Sequence, residues 1–295
     1  MTSIEPAGHA AACDPGRPAR LLRAEHAALL PILRRTPDPG FDRPTACPGW
    51  SVRDVLAHCA AALSRVTAGN LHAFTPALNE ADVAERRAWP LADILSELAA
   101  GYLEAGEAIT RAGGKLDVLA LGEWLHGGDV RDALGEPLAY ASDGFGDACA
   151  LLADRARRKA TPLLTAYLPG RTLTLGAPRQ DRVPATLHAS RPALMRLFAG
   201  RPADPSDYRL AGAATAELVV FLPHPRACRA PGVRQRHNDP GAAVRKRRMR
   251  DPSPGGVPPA GCPDQINQFG ADPSVTLPSR QIHAERRRCA PAAEG

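Results

Sequence analysis

The stretch that decides the fold of this chain is RPTACPGWSVRDVLAHCA, residues 43–60, in which a proline-rich loop leads directly into a helix. Ser51 is placed to begin that helix, because its side chain can accept a hydrogen bond from a first-turn amide while Asp54 accepts one in return. The apolar residues that follow recur at helical spacing, and they are Val52, Val55, Leu56, Cys59, Leu63 and Val66. His58 lies at the border of this apolar stripe, so the pattern predicts a histidine at the edge of a helical core.

Similar helical patterns occur on both sides of this stretch. Apolar residues keep a helical period over about residues 19–35, where the internal Pro31 predicts a kink or a break. The period returns over about residues 90–109, after a proline suited to a first helical turn, and over about residues 117–134, before a glycine and a proline. A further helix is predicted over about residues 146–167. Four long amphipathic helices with connections of medium length favour an antiparallel four-helix bundle.

The pattern changes after residue 170 from helical to alternating. RTLTLGA (171–177) and RVPATLHA (182–189) alternate apolar and polar residues as strands do, and residues 190–200 have the cap, proline and final glycine of a short helix. We therefore predict an all-α bundle over residues 18–168, followed by a small α+β domain over residues 169–222.

The composition changes again over residues 223–295. This segment contains twelve prolines, and its thirteen Lys and Arg against six Asp and Glu account for the positive net charge of the whole chain. It has too few apolar residues to offset the entropy of ordering, so we predict a disordered, basic, proline-rich tail. Its RKRRMR run could neutralise phosphates, but without interleaved aromatic residues a solvated segment is favoured over a nucleic-acid partner.

Three classes of protein are disfavoured by composition. The sequence has no run of about eighteen apolar residues that would predict a membrane span. It also lacks the basic and then apolar N-terminal pattern of a secretory signal, so we expect a cytoplasmic protein. The seven cysteines are scattered without a C-x-x-C pair, which argues against a disulfide framework or a cysteine-only zinc site.

His58, Glu123 and His126 are the candidate metal ligands. Glu123 and His126 are three residues apart, so their side chains point to the same side of a helix. A carboxylate and two imidazoles from facing helices are typical of a catalytic zinc site, which keeps one open position. Asp129 could accept a hydrogen bond from an imidazole or could be a surface charge. From spacing alone, a structural histidine beside a chance Glu-x-x-His pair explains the same residues.

Other residues near these positions have simpler interpretations. Gly127 and Gly128 are unfavourable inside a helix, so they predict either a close approach by another part of the chain or a break. Cys59 lies on the apolar stripe, so we predict that it is a core residue and not a nucleophile. Trp50 is predicted to pack against the start of the helix. The remaining histidines that we considered lack a partner signal, and they are His26, His72 and His188.

Two separated stretches resemble signatures of the mycothiol-dependent maleylpyruvate isomerase-like family, a branch of the DinB-type four-helix metal-binding bundles. Residues 43–60 contain the proline-rich loop, the tryptophan and, eight residues later, the histidine of the first signature. GEWLHGGDVRDALGEP (122–137) resembles the second, an acidic residue and a histidine before a glycine-rich step and an aspartate. Residues 191–221 resemble the family's C-terminal domain, so the likeness covers about residues 18–222.

The resemblance implies a divalent metal, generally zinc, and a low-molecular-weight thiol, mycothiol, as cofactors. His58, Glu123 and His126 would hold the ion and leave an open position for the thiol, whose thiolate adds to a small electrophilic substrate. Addition to a cis enedioate, bond rotation and loss of the thiol would give the trans isomer. Many members place the acidic ligand four residues before the histidine, where this chain has Gly122, so Asp129 or water could replace Glu123.

Several alternatives stay open at this point. The same site would serve a thiol S-transferase acting on electrophiles, and a non-catalytic metal-binding or regulatory protein could also keep the bundle. Arg191, Arg196 or Arg201 could bind a carboxylate of the substrate or cofactor, although three close arginines also suit a solvated helix face.

Overall fold

The structure, a computed structural model, describes residues 14–70, 75–137 and 139–221, so the predicted tail over 223–295 lies outside the described residues. The helices are α1 (Arg17–Arg35), α2 (Val52–Thr67), α3 (Pro76–Arg86), α4 (Leu91–Arg111), α5 (Asp117–Leu134), α6 (Phe145–Arg158) and α7 (Arg191–Phe198). The strands are β1 (Leu164–Leu168), β2 (Arg171–Leu175), β3 (Ala185–Ala189) and β4 (Tyr208–Ala211).

Helices α1, α2, α4 and α5 pack on one another, so the predicted helical bundle is confirmed. Their apolar stripes meet in a core made mostly of leucine and alanine side chains. Pro31 does not break α1, which runs continuously from Arg17 to Arg35. The Pro31 ring is exposed. Because proline has no N–H, the carbonyl of Ala27 loses its hydrogen bond within the helix, but Ala27 is exposed, so water can bind that carbonyl. No helix in the described ranges has the length and apolarity needed to cross a membrane.

The start of α2 has the predicted capping box. The amide of Asp54 donates to the Ser51 hydroxyl at 3.2 Å, and the amide of Ser51 donates to the Asp54 carboxylate at 3.1 Å. Arg87 also donates to Asp54 at 3.0 Å, which joins this cap to the chain after α3. These contacts fix where α2 begins and therefore place His58 two turns later.

Helix α3 is an element that the sequence analysis did not predict. Thr75 caps it by accepting a hydrogen bond from the amide of Leu78 at 3.2 Å. Its buried face carries the polar residues Asn79, Asp82 and Arg86 beside the apolar Val83. Because most residues on this buried face are polar, the sequence of α3 has only a weak apolar periodicity and does not predict a helix.

Strands β1 to β4 form one four-stranded sheet in the order β2-β1-β3-β4, in which β1 and β3 are parallel and the other pairs are antiparallel. The predicted helix over 146–167 ends instead at Arg158, because Pro162 disfavours helical backbone before it and Leu164–Leu168 pairs with two strands. The predicted boundary between residues 168 and 169 thus falls between two strands of this sheet. The predicted order, a helical bundle followed by a small α+β region, is confirmed.

Candidate metal centre

His58 on α2 and His126 on α5 face each other across the bundle. Their rings meet edge to face with 5.1 Å between centroids, and both side chains are buried. The indole of Trp50 lies 5.0 Å from the His58 ring and 6.5 Å from the His126 ring. The structure therefore brings the two predicted histidines together under the tryptophan that precedes α2.

Helix α3 holds Trp50 in this position. The indole Nε1 of Trp50 donates a hydrogen bond to Glu80 Oε1 at 2.9 Å. Because α3 supplies Glu80, the cover over the histidines depends on a helix that contributes no predicted ligand.

Glu123 lies one helical turn before His126 and is buried within the bundle. Burial raises the pKa of Glu123 to about 8, the hydrogen bond from Cys59 opposes this rise, and the nearby charge of Glu25 adds to it. Its Oε2 atom has no hydrogen-bond partner among the residues that the structure describes. A buried carboxyl group with a spare oxygen is suited to a cation, so Glu123 stays a predicted ligand.

A second group of possible ligands surrounds the other side of His126. Donor atoms of Cys47, His126 and Asp129 all lie within 4.8 Å of one another. Cys47 Sγ is 3.5 Å from His126 Nδ1 and 3.2 Å from Asp129 Oδ2, and that oxygen is 3.4 Å from His126 Nδ1. Asp129 is therefore a buried neighbour of the imidazole and not a surface charge.

Sequence reasoning did not select Cys47 as a site residue. It lies in the proline-rich loop before α2, and nothing in its spacing predicts contact with α5. The one available signal is its position inside the first family signature, three residues before Trp50.

The guanidinium of Arg201 already fills this second group. Its Nε donates to Asp129 Oδ2 at 2.7 Å, and its Nη2 lies 3.3 Å from His126 Nδ1 and 3.5 Å from Cys47 Sγ. Burial alone would raise the pKa of Asp129, but the Arg201 charge and the His126 contact outweigh it and hold that pKa well below its usual range. Asp129 is thus an ionised carboxylate whose cation is the guanidinium.

The two cysteines near the site are protonated thiols. Burial raises the pKa of Cys47 to about 12 and raises that of Cys59 well above its usual value, where the neighbouring Glu123 adds to the rise. Cys59 is buried in the core, as the sequence indicated. Neither thiol has the low pKa that marks a reactive cysteine.

The three arginines considered for carboxylate binding have different environments. Arg201 reaches the histidine site, whereas the Arg191 guanidinium lies 4.9 Å from the centroid of the Phe145 ring. Arg196 lies 5.3 Å from the centroid of the Tyr140 ring and 2.5 Å from the Asp132 carboxylate.

The other histidines considered above lie on other elements or outside the described residues. His188 stacks on Tyr167 at 4.8 Å on the sheet, and His26 is half-buried on α1. His72 belongs to the segment that the structure does not describe.

Comparison with known proteins gives one family and two similar structures. The family described as "Mycothiol maleylpyruvate isomerase N-terminal domain" matches residues 22–136. A crystal structure of the mycothiol-dependent maleylpyruvate isomerase is 16% identical, with a TM-score of 0.44 over 68% of this chain and 95% of that chain. A structure of a histidine-to-alanine mutant of that enzyme is 14% identical, with the same TM-score and coverage. No curated protein matches the chain.

Proposed function

We propose that the chain is a metal- and mycothiol-dependent enzyme acting on a small electrophile, as in maleylpyruvate isomerisation, because its residues 22–136 match the mycothiol maleylpyruvate isomerase N-terminal domain family. The observation that carries the proposal is the meeting of the His58 and His126 rings, 5.1 Å apart, across two helices of that bundle. Two buried imidazoles on facing helices are typical of metal sites in helical bundles.

His58, Glu123 and His126 would hold a zinc ion. Imidazole nitrogen and carboxylate oxygen are ordinary zinc ligands, and the unpartnered Oε2 of Glu123 is a buried acceptor suited to a cation. The group of Cys47, His126 and Asp129 fits a metal less well, because the Arg201 guanidinium lies among its three donor atoms. When bound, zinc supplies an open position at which a thiol loses its proton near neutral pH.

Asp129 and Arg201 would orient His126 for this role. Of the three groups that contact Nδ1 of His126, Asp129 can only accept, and Arg201 and Cys47 both donate to Asp129. We therefore assign the ring proton to Nδ1, which leaves the Nε2 lone pair for the ion. Arg201 keeps Asp129 ionised, so this arginine supports the histidine and does not present a free guanidinium.

Trp50 would limit the access of water to the histidines. Its indole covers both rings and is fixed by Glu80 of α3. Exclusion of water strengthens the attraction between the ligands and a cation.

Zinc content and thiol dependence test the proposal. The wild-type protein should bind about one zinc per chain, and it should convert maleylpyruvate only when both zinc and mycothiol are present. His58→Ala and His126→Ala should each lose the metal and the turnover, while the matched control His188→Ala, on the exposed face of the sheet, should keep both. A product that retains the thiol would identify an S-transferase. Turnover by metal-free protein, or without a small thiol, would contradict the proposal.

A further inference from the structure

Two adjacent glycines follow His126 directly in α5. The helix continues through Gly127 and Gly128, so the pair is not a break. A Cβ atom on Gly127 would overlap Glu25 Oε1, and one on Gly128 would overlap the ring of Tyr140. Each glycine therefore leaves a space on α5 that a side chain from elsewhere fills.

Glu25 enters the first space from α1 as a buried charge. It is fully buried and pairs with the guanidinium of Arg131, which is also buried and stands one helical turn after Gly127. The Nε atom of Arg131 also donates to the carbonyl of Ala139 at 2.9 Å. Loss of one partner from a buried ion pair costs a large free energy of unfolding. The contacts of Arg131 with Glu25 and with Ala139 therefore hold α1, α5 and the chain after α5 together.

Tyr140, which follows Ala139 in the chain, occupies the second space, next to Gly128. Its ring is buried, and its hydroxyl donates to Asp129 Oδ1 at 2.6 Å. The other oxygen of Asp129 is the one that lies 3.4 Å from His126 Nδ1. The tyrosine hydroxyl is thus two contacts away from the histidine, and it holds the carboxylate that faces the imidazole.

We propose that the Gly127–Gly128 pair forms a seat through which Glu25 and Tyr140 act as positioning residues for His126. Glu25 sets the rotation of α5 against α1, and Tyr140 sets the orientation of Asp129. Neither residue contacts an ion, a thiol or a substrate in this assignment. The inference rests on the proposed role of His126 as a metal ligand.

Tyr140→Phe is the sharpest variant, because it keeps the ring in its seat and removes only the hydroxyl. Zinc affinity, measured by competition with a chromophoric chelator, should fall about 10-fold, the lower end of the range of about 10-fold to 100-fold for direct partners of a ligand, because Tyr140 acts on His126 through Asp129. The melting temperature of the metal-free protein should change by no more than a few degrees. The matched control Tyr167→Phe alters an exposed tyrosine on the sheet and should change neither quantity.

A metal-independent measurement separates this inference from the proposed function. Nitrogen NMR of the imidazole in metal-free protein should show one His126 tautomer in the wild type, with the proton on Nδ1, and a mixture in Tyr140→Phe. If the wild type binds no zinc but the tautomer shifts, the proposed function fails and the positioning role stands. If zinc binds equally well in both proteins and the tautomer is unchanged, the positioning role is overturned.

Gly128→Ala tests the seat itself. The added methyl group should displace the Tyr140 ring, so zinc affinity should fall at least as far as in Tyr140→Phe. Gly146→Ala is the matched control in α6, where the nearest atom to an added Cβ is a flexible arginine end at 3.6 Å, and its zinc affinity should not change. An unchanged zinc affinity and tautomer in Gly128→Ala would exclude the seat.

Discussion

The acidic residues three positions before and after His126 are held in opposite charge states. Burial favours the neutral acid at Glu123 and raises its pKa to about 8. Asp129 is equally buried, yet the guanidinium of Arg201 keeps it ionised. Helix α5 therefore carries two different acidic groups. Asp129 is a carboxylate that can orient the imidazole, and Glu123 is a neutral acid whose ionised form a nearby cation would stabilise.

The raised pKa of Glu123 predicts that the metal-free protein loses stability as pH rises. Between the unfolded value of about 4.5 and about 8 the native state holds a proton that the unfolded chain has released, so the free energy of unfolding falls with pH by up to about 1.4 kcal/mol per unit. Glu123→Gln should remove the part of this fall that Glu123 contributes, while the buried Glu25, whose pKa is also raised by burial, keeps its own. Urea unfolding of both metal-free proteins at about pH 5 and about pH 8 measures it.

The same variant also addresses the ligand assignment. Glu123→Gln should weaken zinc binding less than His58→Ala or His126→Ala, because the acidic residue departs from the family's spacing and Gly122 stands at that position. Equal pH dependence of stability in Glu123→Gln and wild type would contradict the buried-acid account. Complete loss of zinc would make Glu123 as important a ligand as the histidines.

At the scale of secondary structure, α3 is a helix attached to the bundle through polar contacts. Val83 is its fully buried apolar residue, whereas Arg86 makes two hydrogen bonds of 2.7 Å to Glu97 of α4. Glu80 on the same helix holds Trp50 over the histidines. The position of the tryptophan cover therefore depends on ion pairs more than on apolar burial.

Glu97→Gln should loosen α3 in a pH-dependent manner. Burial opposes ionisation of Glu97, but hydrogen bonds from Arg86 and Ser64 outweigh it and lower its pKa. Its contribution to stability is therefore present above the unfolded value of about 4.5 and is lost as pH falls through the lower folded pKa. We expect a loss of about 1–2 kcal/mol at neutral pH that shrinks in acid, measured by urea unfolding.

The matched control for this change is Glu107→Gln on the same helix. The Glu107 side chain is mostly exposed and contacts Arg111 one turn away. Its replacement should leave stability unchanged across the pH range. If the two substitutions changed the free energy of unfolding equally, the contact between Arg86 of α3 and Glu97 of α4 would not be a specific source of stability.

At the scale of the whole molecule, Arg201 joins the C-terminal region to the bundle. Gly200, in the left-handed conformation at φ +70°, turns the chain after α7 so that Arg201 reaches α5. Its guanidinium lies among Asp129, His126 and Cys47 of the loop before α2. Three segments that are far apart in the chain thus meet at one ion pair.

Arg201→Ala should destabilise the protein by about 3–5 kcal/mol, because it leaves the Asp129 carboxylate buried without its cation. Chemical unfolding measures the loss, and Arg209→Ala, an exposed arginine on β4, is the matched control. A change within about 0.5 kcal/mol of wild type, the range of ordinary surface substitutions, would show that the pair is not a structural link.

Much of the bundle could be predicted from sequence because its signals are local. The capping box of Ser51 and Asp54 and the left-handed Gly135 that ends α5 involve residues within one turn of each other. The apolar periods of the four bundle helices are likewise local, and they suffice to put His58 and His126 on elements that face one another. The family signatures then named the two histidines as ligands, an assignment that stays a prediction.

Only the tertiary structure decided what surrounds those histidines. Cys47, Tyr140 and Arg201 come from a loop, the segment after α5 and the end of α7, and no spacing in the sequence relates them to Asp129. Helix α3 and strand β1 were missed for a related reason, since a polar buried face has little apolar period and β1 is defined by partners later in the chain. Local backbone and side-chain preferences determine where elements begin and end, whereas contacts between distant residues depend on how those elements pack.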